Sequence, residues 1–265
     1  MEGDRISCHA SVKKVYERIK EDGITNIWDR YEAQGMGGNP DRRCNFCQGG
    51  MRCDLCSNGP CRGNAETDKR GVCGITADGM AMRMMLLRNV MGASTYQYHT
   101  EQTIKTLRAT ALGKTPFKIK ESGKLRTFAA RLGVDTSGTD NEVALRLCDF
   151  VEEDFRREYG QHSKIVEILA PEERKETWKK LGIFPNGIHS EMMRTTSSSL
   201  TNVDGNYVSL ALKAMRLGVA MGYQSQIVNE YCQDILFGLP KPHKMRVDLG
   251  VLDPEYVNVL PNGHE

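Results

Sequence analysis

Apolar residues first recur at helical spacing near the start of the chain, where Val12, Val15, Tyr16 and Ile19 share one face of a helix over residues 12–20. Residues 80–91 are crowded with Met and Leu between Gly79 and Gly92 and read as a buried helix. Residues 101–112 read as a further helix closed by Gly113, and 125–132 as a short one closed by Gly133. Thr139 and Glu142 have capping-box spacing ahead of the apolar pattern at 143–151. Pro171 suits the first residue of a helix running to about Leu181. The last long helical pattern covers 207–237, with an interruption expected near Gly222. Residues 195–199, all Thr and Ser, read as a plain turn or helix start. Pro240 and Pro242 then break the chain, and the β-branched stretches 245–251 and 256–260 read as the entry into an α/β region.

The expected fold class is therefore mostly α. A helical domain over residues 1–240 carries a long loop at 44–73, and residues 241–265 begin a second region. A single strand close to the end of the chain has no sheet to pair with, so the 265 residues are expected to belong to something longer.

Composition narrows the function classes. Charged residues are 26% of the chain and the formal net charge is +2, which gives no footprint for nucleic acid. No apolar run reaches the roughly 18 residues that a membrane span needs, and the N-terminus lacks a signal-peptide layout. A soluble cytoplasmic protein is expected. The nine cysteines change the picture most, because six of them fall at 44, 47, 53, 56, 61 and 73 while Cys8, Cys148 and Cys232 are scattered. In a cytoplasmic chain of this length, such crowding points to metal binding and away from a disulfide framework.

Iron–sulfur centres commonly need four converging thiolates, held by loops whose backbone N–H groups can reach sulfide. Cys53, Cys56, Cys61 and Cys73 meet that need, with Gly59 and Pro60 turning the chain just before the third cysteine. A zinc site built on two C-x2-C pairs is the alternative, although it leaves Cys61 and Cys73 over. Cys44 and Cys47 cannot close a cluster by themselves, but two copies of the pair could do so across a twofold axis. They could equally be reduced thiols in an unrelated loop.

Residues 44–62 and 69–79 resemble the N-terminal cluster region of the anaerobic Ni–Fe carbon monoxide dehydrogenases, and the resemblance continues through 88–94, 209–215, 226–238 and 259–265. It is strongest to the form that partners acetyl-CoA synthase. The resemblance implies oxidation of CO with water to CO2, protons and electrons, in a homodimer that passes electrons to a ferredoxin or similar acceptor. It implies that residues 241–265 start a Rossmann-like α/β domain. Cys53, Cys56, Cys61 and Cys73 match the ligands of the [4Fe–4S] cluster B. Cys44 matches a ligand of cluster D, shared between subunits. Many members place the second ligand directly before the first cluster B cysteine, where this chain has Arg52, so Cys47 would take over. The shorter pair implies a [2Fe–2S] centre, with [4Fe–4S] as the other possibility.

His264 matches the histidine on the unique iron of the Ni–Fe–S cluster C, whose remaining ligands belong to the family's later domains; these 265 residues alone are expected not to turn over CO. His99 is a candidate proton relay, or a hydrogen-bonded helix residue. The Met-rich helix reads as core packing. Arg42, Arg43, Arg52, Arg62, Lys69 and Arg70 could offset thiolate charge, dock an acidic partner, or simply be solvated. A stand-alone iron–sulfur carrier and a zinc-stabilised interaction module are the competing functions.

Overall fold

The computed structural model describes residues 9–25, 51–200 and 203–239. The chain divides into two compact units, Met1–Gly49 with Pro242–Glu265, and Gly50–Lys241. In the first unit the described part is helix α1, Ala10–Glu21, which buries Tyr16 and ends on Arg18 and Lys20, cations suited to a helix C-terminus. Gly23 follows at φ 67°, a left-handed stop that glycine takes without strain. Cys44, Cys47, His264 and the expected strands at 245–251 and 256–260 lie outside the described residues.

The second unit opens with a two-stranded antiparallel ladder, β1 (Arg52–Cys53) and β2 (Cys61–Arg62), in which Cys53 faces Cys61. The chain then enters α2, Ala77–Ala111, whose N-cap Thr76 accepts from the Gly79 amide at 3.2 Å. With 35 residues, α2 extends over about 52 Å. It joins the two helices read at 80–91 and 101–112 into one. Gly92 does not stop it, because a helical glycine costs only about 1 kcal/mol against alanine. Burial of Ala93, Gln97 and Thr100 continues the packed face straight past it.

Helices α3 (Ser122–Arg131), α4 (Asp140–Phe155), α5 (Lys164–Leu169), α6 (Glu172–Lys180), α7 (Ile188–Ser199), α8 (Tyr207–Ala220) and α9 (Val228–Phe237) complete the described unit. The capping box ahead of α4 is present: the Thr139 amide donates to Glu142 Oε2 at 2.7 Å, and the Glu142 amide donates to Thr139 Oγ1 at 3.3 Å. Pro171 is the cap of α6 and not its first residue, since its ψ of 142° is extended. Residues 195–199 are neither a turn nor a start; they form the last turn of α7, with Thr195, Ser198 and Ser199 buried.

Helix α2 is the central rod, lying against α4, α7, α8 and α9. The main core gathers Ile104 and Leu107 from α2, Leu125 and Phe128 from α3, Val143, Leu147 and Val151 from α4, and Val228 and Ile235 from α9. The Phe128 and Tyr231 rings stack with centroids 4.0 Å apart. The interruption expected near Gly222 is a π-helical turn, Met221–Ile227, so α8 and α9 continue one another. The widened turn puts Gln224 and Ser225 into the interior. Ser225 Oγ lies 2.7 Å from Thr100 Oγ1 of α2. Gln224 Oε1 accepts from the Ile188 amide at 2.9 Å while its Nε2 donates to the Asn186 carbonyl at 2.8 Å. The first turn of α7, capped by a glycine with no side chain, is thus satisfied from the π turn.

A cysteine loop built around a buried arginine

The loop from Met51 to Thr76 folds tightly against the start of α2. The Gly59 amide donates to the Cys56 carbonyl at 3.1 Å, closing the turn between β1 and β2, and the Gly63 amide donates to Met51 at 2.8 Å. Further on, the Gly71 amide donates to Ile75 at 2.9 Å and the Gly74 amide to Gly71 at 2.8 Å, which turns the chain at Cys73. Added side chains would crowd their neighbours at two of these points. A Cβ at Gly63 would lie 3.0 Å from Ala77 Cα, and one at Gly71 would lie 2.8 Å from Met80 Cε. Met80 is fully buried and seals the loop with Cys53 and Ile75. The core reading of the Met-rich helix therefore holds at Met80, whereas Met85 and Met91 are exposed.

Cys53 is buried, Cys56 and Cys61 are half-buried and Cys73 is exposed; Cys53, Cys61 and Cys73 carry free thiols. Among the described residues, no three Cys, His, Asp or Glu side chains are drawn into one closed metal-binding shell. Two of the thiols are nevertheless brought to a common charged partner. Arg83 Nη1 lies 4.0 Å from Cys53 Sγ and 3.9 Å from Cys73 Sγ, and Nη2 donates to the Asp204 carbonyl at 2.7 Å. Arg83 is only 1% exposed, no carboxylate among the described residues pairs with it, and its buried Nε has no hydrogen-bond partner.

A guanidinium withdrawn from water without a counter-charge is costly, by several kcal/mol in a protein interior. The loop is therefore built to receive negative charge beside Arg83. Thiolates holding an iron–sulfur centre would supply it, and the donor set of Cys53, Cys56, Cys61 and Cys73 suits such a centre. Of the cations singled out in the sequence, two are turned to other partners. Arg70 is exposed and paired with Asp68 at 3.1 Å, and Arg52 pairs with Asp54 at 3.6 Å. Arg42 and Arg43 lie outside the described residues.

The Asp204 carbonyl that anchors Arg83 is itself held. Its carboxylate accepts from Ser209 Oγ at 2.6 Å, from Lys213 Nζ at 2.6 Å and from the Asn206 amide at 3.0 Å. Burial pushes this carboxyl up, but the Lys213 and Ser209 hydrogen bonds outweigh it and hold the group below its ordinary range. Asn206 caps α8 by accepting from the Ser209 amide at 3.0 Å.

Elsewhere, His99 is exposed on α2, with Gln233 Nε2 at 3.1 Å from its Nε2, and its carbonyl accepts from Thr103 Oγ1 at 3.3 Å. A second histidine went unnoticed in the sequence: His189 Nε2 lies 2.8 Å from Glu101 Oε1, beside a cavity of about 100 Å³ lined also by Ile104, Lys105 and Phe155. The pair is 88 residues apart in the chain, so no local pattern joins it. Cys148 and Cys232 are buried in the core, as thiols with no visible task should be. Burial pushes the Cys148 thiol up to about 12, and burial followed by the nearby Cys148 raises Cys232. Both stay protonated near neutrality. Cys8 lies outside the described residues. No helix among the described residues is long and apolar enough to cross a membrane.

Comparison with known proteins places this loop in context. The chain is 75% identical over its full length to carbon monoxide dehydrogenase 2 of Methanosarcina acetivorans, of which it spans 42%. Its fold matches a nickel-free carbon monoxide dehydrogenase from Thermococcus sp. AM4 with a TM-score of 0.80 and 30% identity, covering 91% of this chain and 38% of that one. It also matches an acetyl-CoA synthase/carbon monoxide dehydrogenase with a TM-score of 0.79 and 28% identity, covering 90% of this chain and 35% of that one. The sequence model of the Prismane/CO dehydrogenase family covers residues 51–265, from the cysteine loop onward, and the chain belongs to that family.

Proposed function

We propose that these residues form the electron-transfer and dimer-forming part of a carbon monoxide dehydrogenase, an enzyme that oxidises CO with water to CO2. Cys53, Cys56, Cys61 and Cys73 would hold a [4Fe–4S] centre, which supplies one-electron relay when bound. Cys44 and Cys47 from two copies would hold a shared centre, [2Fe–2S] as the resemblance to family members with this shorter pair implies, and [4Fe–4S] otherwise. His264 would give one ligand to the Ni–Fe–S centre of the complete enzyme, so these residues alone would bind electron-transfer centres without turning over CO. A cytoplasmic homodimer that gives electrons to a ferredoxin is the matching setting, with an acetyl-CoA synthase subunit as a further partner.

The single observation that carries this reading is the buried, anion-seeking guanidinium between Cys53 and Cys73, in a chain of this family. The chain's own residues do three things in it. Gly63 and Gly71 let the loop close against α2, Met80 and Ile75 keep water from its inner side, and Arg83 offsets thiolate charge. His99 would relay protons through its ring nitrogens, the Gln233 amide fixing which one accepts.

The test is Cys61→Ser in anaerobically prepared chain, followed by electron paramagnetic resonance. The [4Fe–4S] signal should disappear while the centre on Cys44 and Cys47 persists. Simultaneous loss of both signals, with the helical fold intact by circular dichroism, would contradict the division of the cysteines into two sets.

A further inference from the structure

We infer that Arg83 is a positioning residue that sets the reduction potential of the centre on Cys53, Cys56, Cys61 and Cys73, holding it higher than the four thiolates alone would allow. The inference rests on the function proposed above and assigns a task to a residue outside the cysteine motif. Three features carry it.

The first is burial. Arg83 is 1% exposed, and a charge in so dry a place is poorly screened and acts strongly on its neighbours. The second is aim. One terminal nitrogen is shared between Cys53 Sγ and Cys73 Sγ at 4.0 and 3.9 Å, while Nε has no partner among the described residues and keeps a donor in reserve. The third is anchorage. The other terminal nitrogen is tied at 2.7 Å to the Asp204 carbonyl, from a segment 121 residues away whose carboxylate is fixed by Ser209 and Lys213. A guanidinium merely filling space would not need a dedicated backbone acceptor held by two further side chains.

Reduction of an iron–sulfur centre adds one electron and hence one negative charge. A fixed cation at the thiolates favours the reduced form, and N–H donation to sulfur acts in the same direction. Arg52 and Arg70 are turned to Asp54 and Asp68, so their charge is partly cancelled at the loop. Arg83, by contrast, has no carboxylate partner among the described residues.

The experiment is a redox titration followed by electron paramagnetic resonance on the 265-residue chain, prepared without oxygen, in the unaltered form and as Arg83→Met, Arg83→Gln and Arg83→Lys. Both neutral variants should lower the potential of the [4Fe–4S] centre by at least tenfold in the reduction equilibrium, about 59 mV for one electron. Arg83→Lys should restore at least half of that shift, and Arg70→Met should leave the potential in place. Arg83→Gln removes the charge but keeps a polar amide on a shorter side chain, and serves if the Met variant does not fold. A neutral variant with full iron content and an unchanged potential would overturn the inference. Absence of a [4Fe–4S] signal from the unaltered chain would instead remove the function on which it rests.

Discussion

Two glycines on α2 should respond to alanine in opposite directions. At Gly79 an added Cβ would lie 2.8 Å from the Gly205 carbonyl oxygen and 2.7 Å from Ile75 Cγ1. The oxygen belongs to backbone and cannot rotate away. At Gly92 the same atom would meet nothing within 4 Å. Helix propensity favours alanine over glycine by about 1 kcal/mol at both sites. Forcing a methyl into close-packed structure costs about 1–3 kcal/mol, and the rigid contact puts Gly79 in the upper part of that range. Gly79→Ala should thus destabilise the chain by about 1–2 kcal/mol, whereas Gly92→Ala should stabilise it by about 0.5–1 kcal/mol. Urea denaturation followed by far-ultraviolet circular dichroism, on chains carrying the same complement of iron, reads both values. Equal stabilisation by the two substitutions would show that the segment bearing Asp204 does not press on α2, and the anchorage of Arg83 would fall with it.

Other consequences can be checked in the same way. Gln224→Leu keeps the side-chain volume but strands the buried Ile188 amide and Asn186 carbonyl, at a cost of about 2–5 kcal/mol in urea denaturation; a loss below about 1 kcal/mol would refute the capping role of the π turn. Asp154 accepts from Ser163 Oγ and the Lys164 amide, both at 2.6 Å, yet burial raises its carboxyl above the ordinary range. The folded state then binds the proton more tightly than the unfolded state, so stability falls as pH rises through the window between about 3.9 and the raised value. Compared with Asp154→Asn, the unaltered chain should therefore gain stability as pH drops through that window, and a gap that stays constant or moves the other way would contradict the shift.

The helices were readable where one physical signal dominates. Helical apolar spacing marked α1, the Gly133 stop marked α3, and the capping-box spacing of Thr139 and Glu142 marked the start of α4. Helix α7 was not readable, because its Ser and Thr residues compete for backbone hydrogen bonds locally and carry little helix propensity. It is helical through tertiary contacts, including Glu191 Oε1, which accepts from Arg216 at 2.8 Å and from the Asn186 side chain at 2.7 Å. Gly92 misled for the opposite reason: its local cost is real but smaller than the packing on either side.

At the site, cysteine spacing and family resemblance supplied the candidate ligands, and structure supplied the charge beside them. Arg83 escaped notice because an arginine among Met and Leu residues reads as a solvent-facing break. Its position was nonetheless informative, since Met80, Arg83, Leu86 and Val90 share the buried face of α2. A cation on an apolar stripe is a sign of a buried anion nearby. No such sign exists for Asp204, which reaches the site only through the return of the chain at the start of α8.

The central claim is that the cysteine loop holds iron and sulfide for electron transfer. Iron, acid-labile sulfide, zinc and nickel per chain, measured on protein prepared without oxygen, test it most directly. About five irons with matching sulfide and no nickel is the predicted result, one [4Fe–4S] centre plus half of a shared [2Fe–2S] centre. One or two zincs with no iron, in a colourless protein, would contradict it.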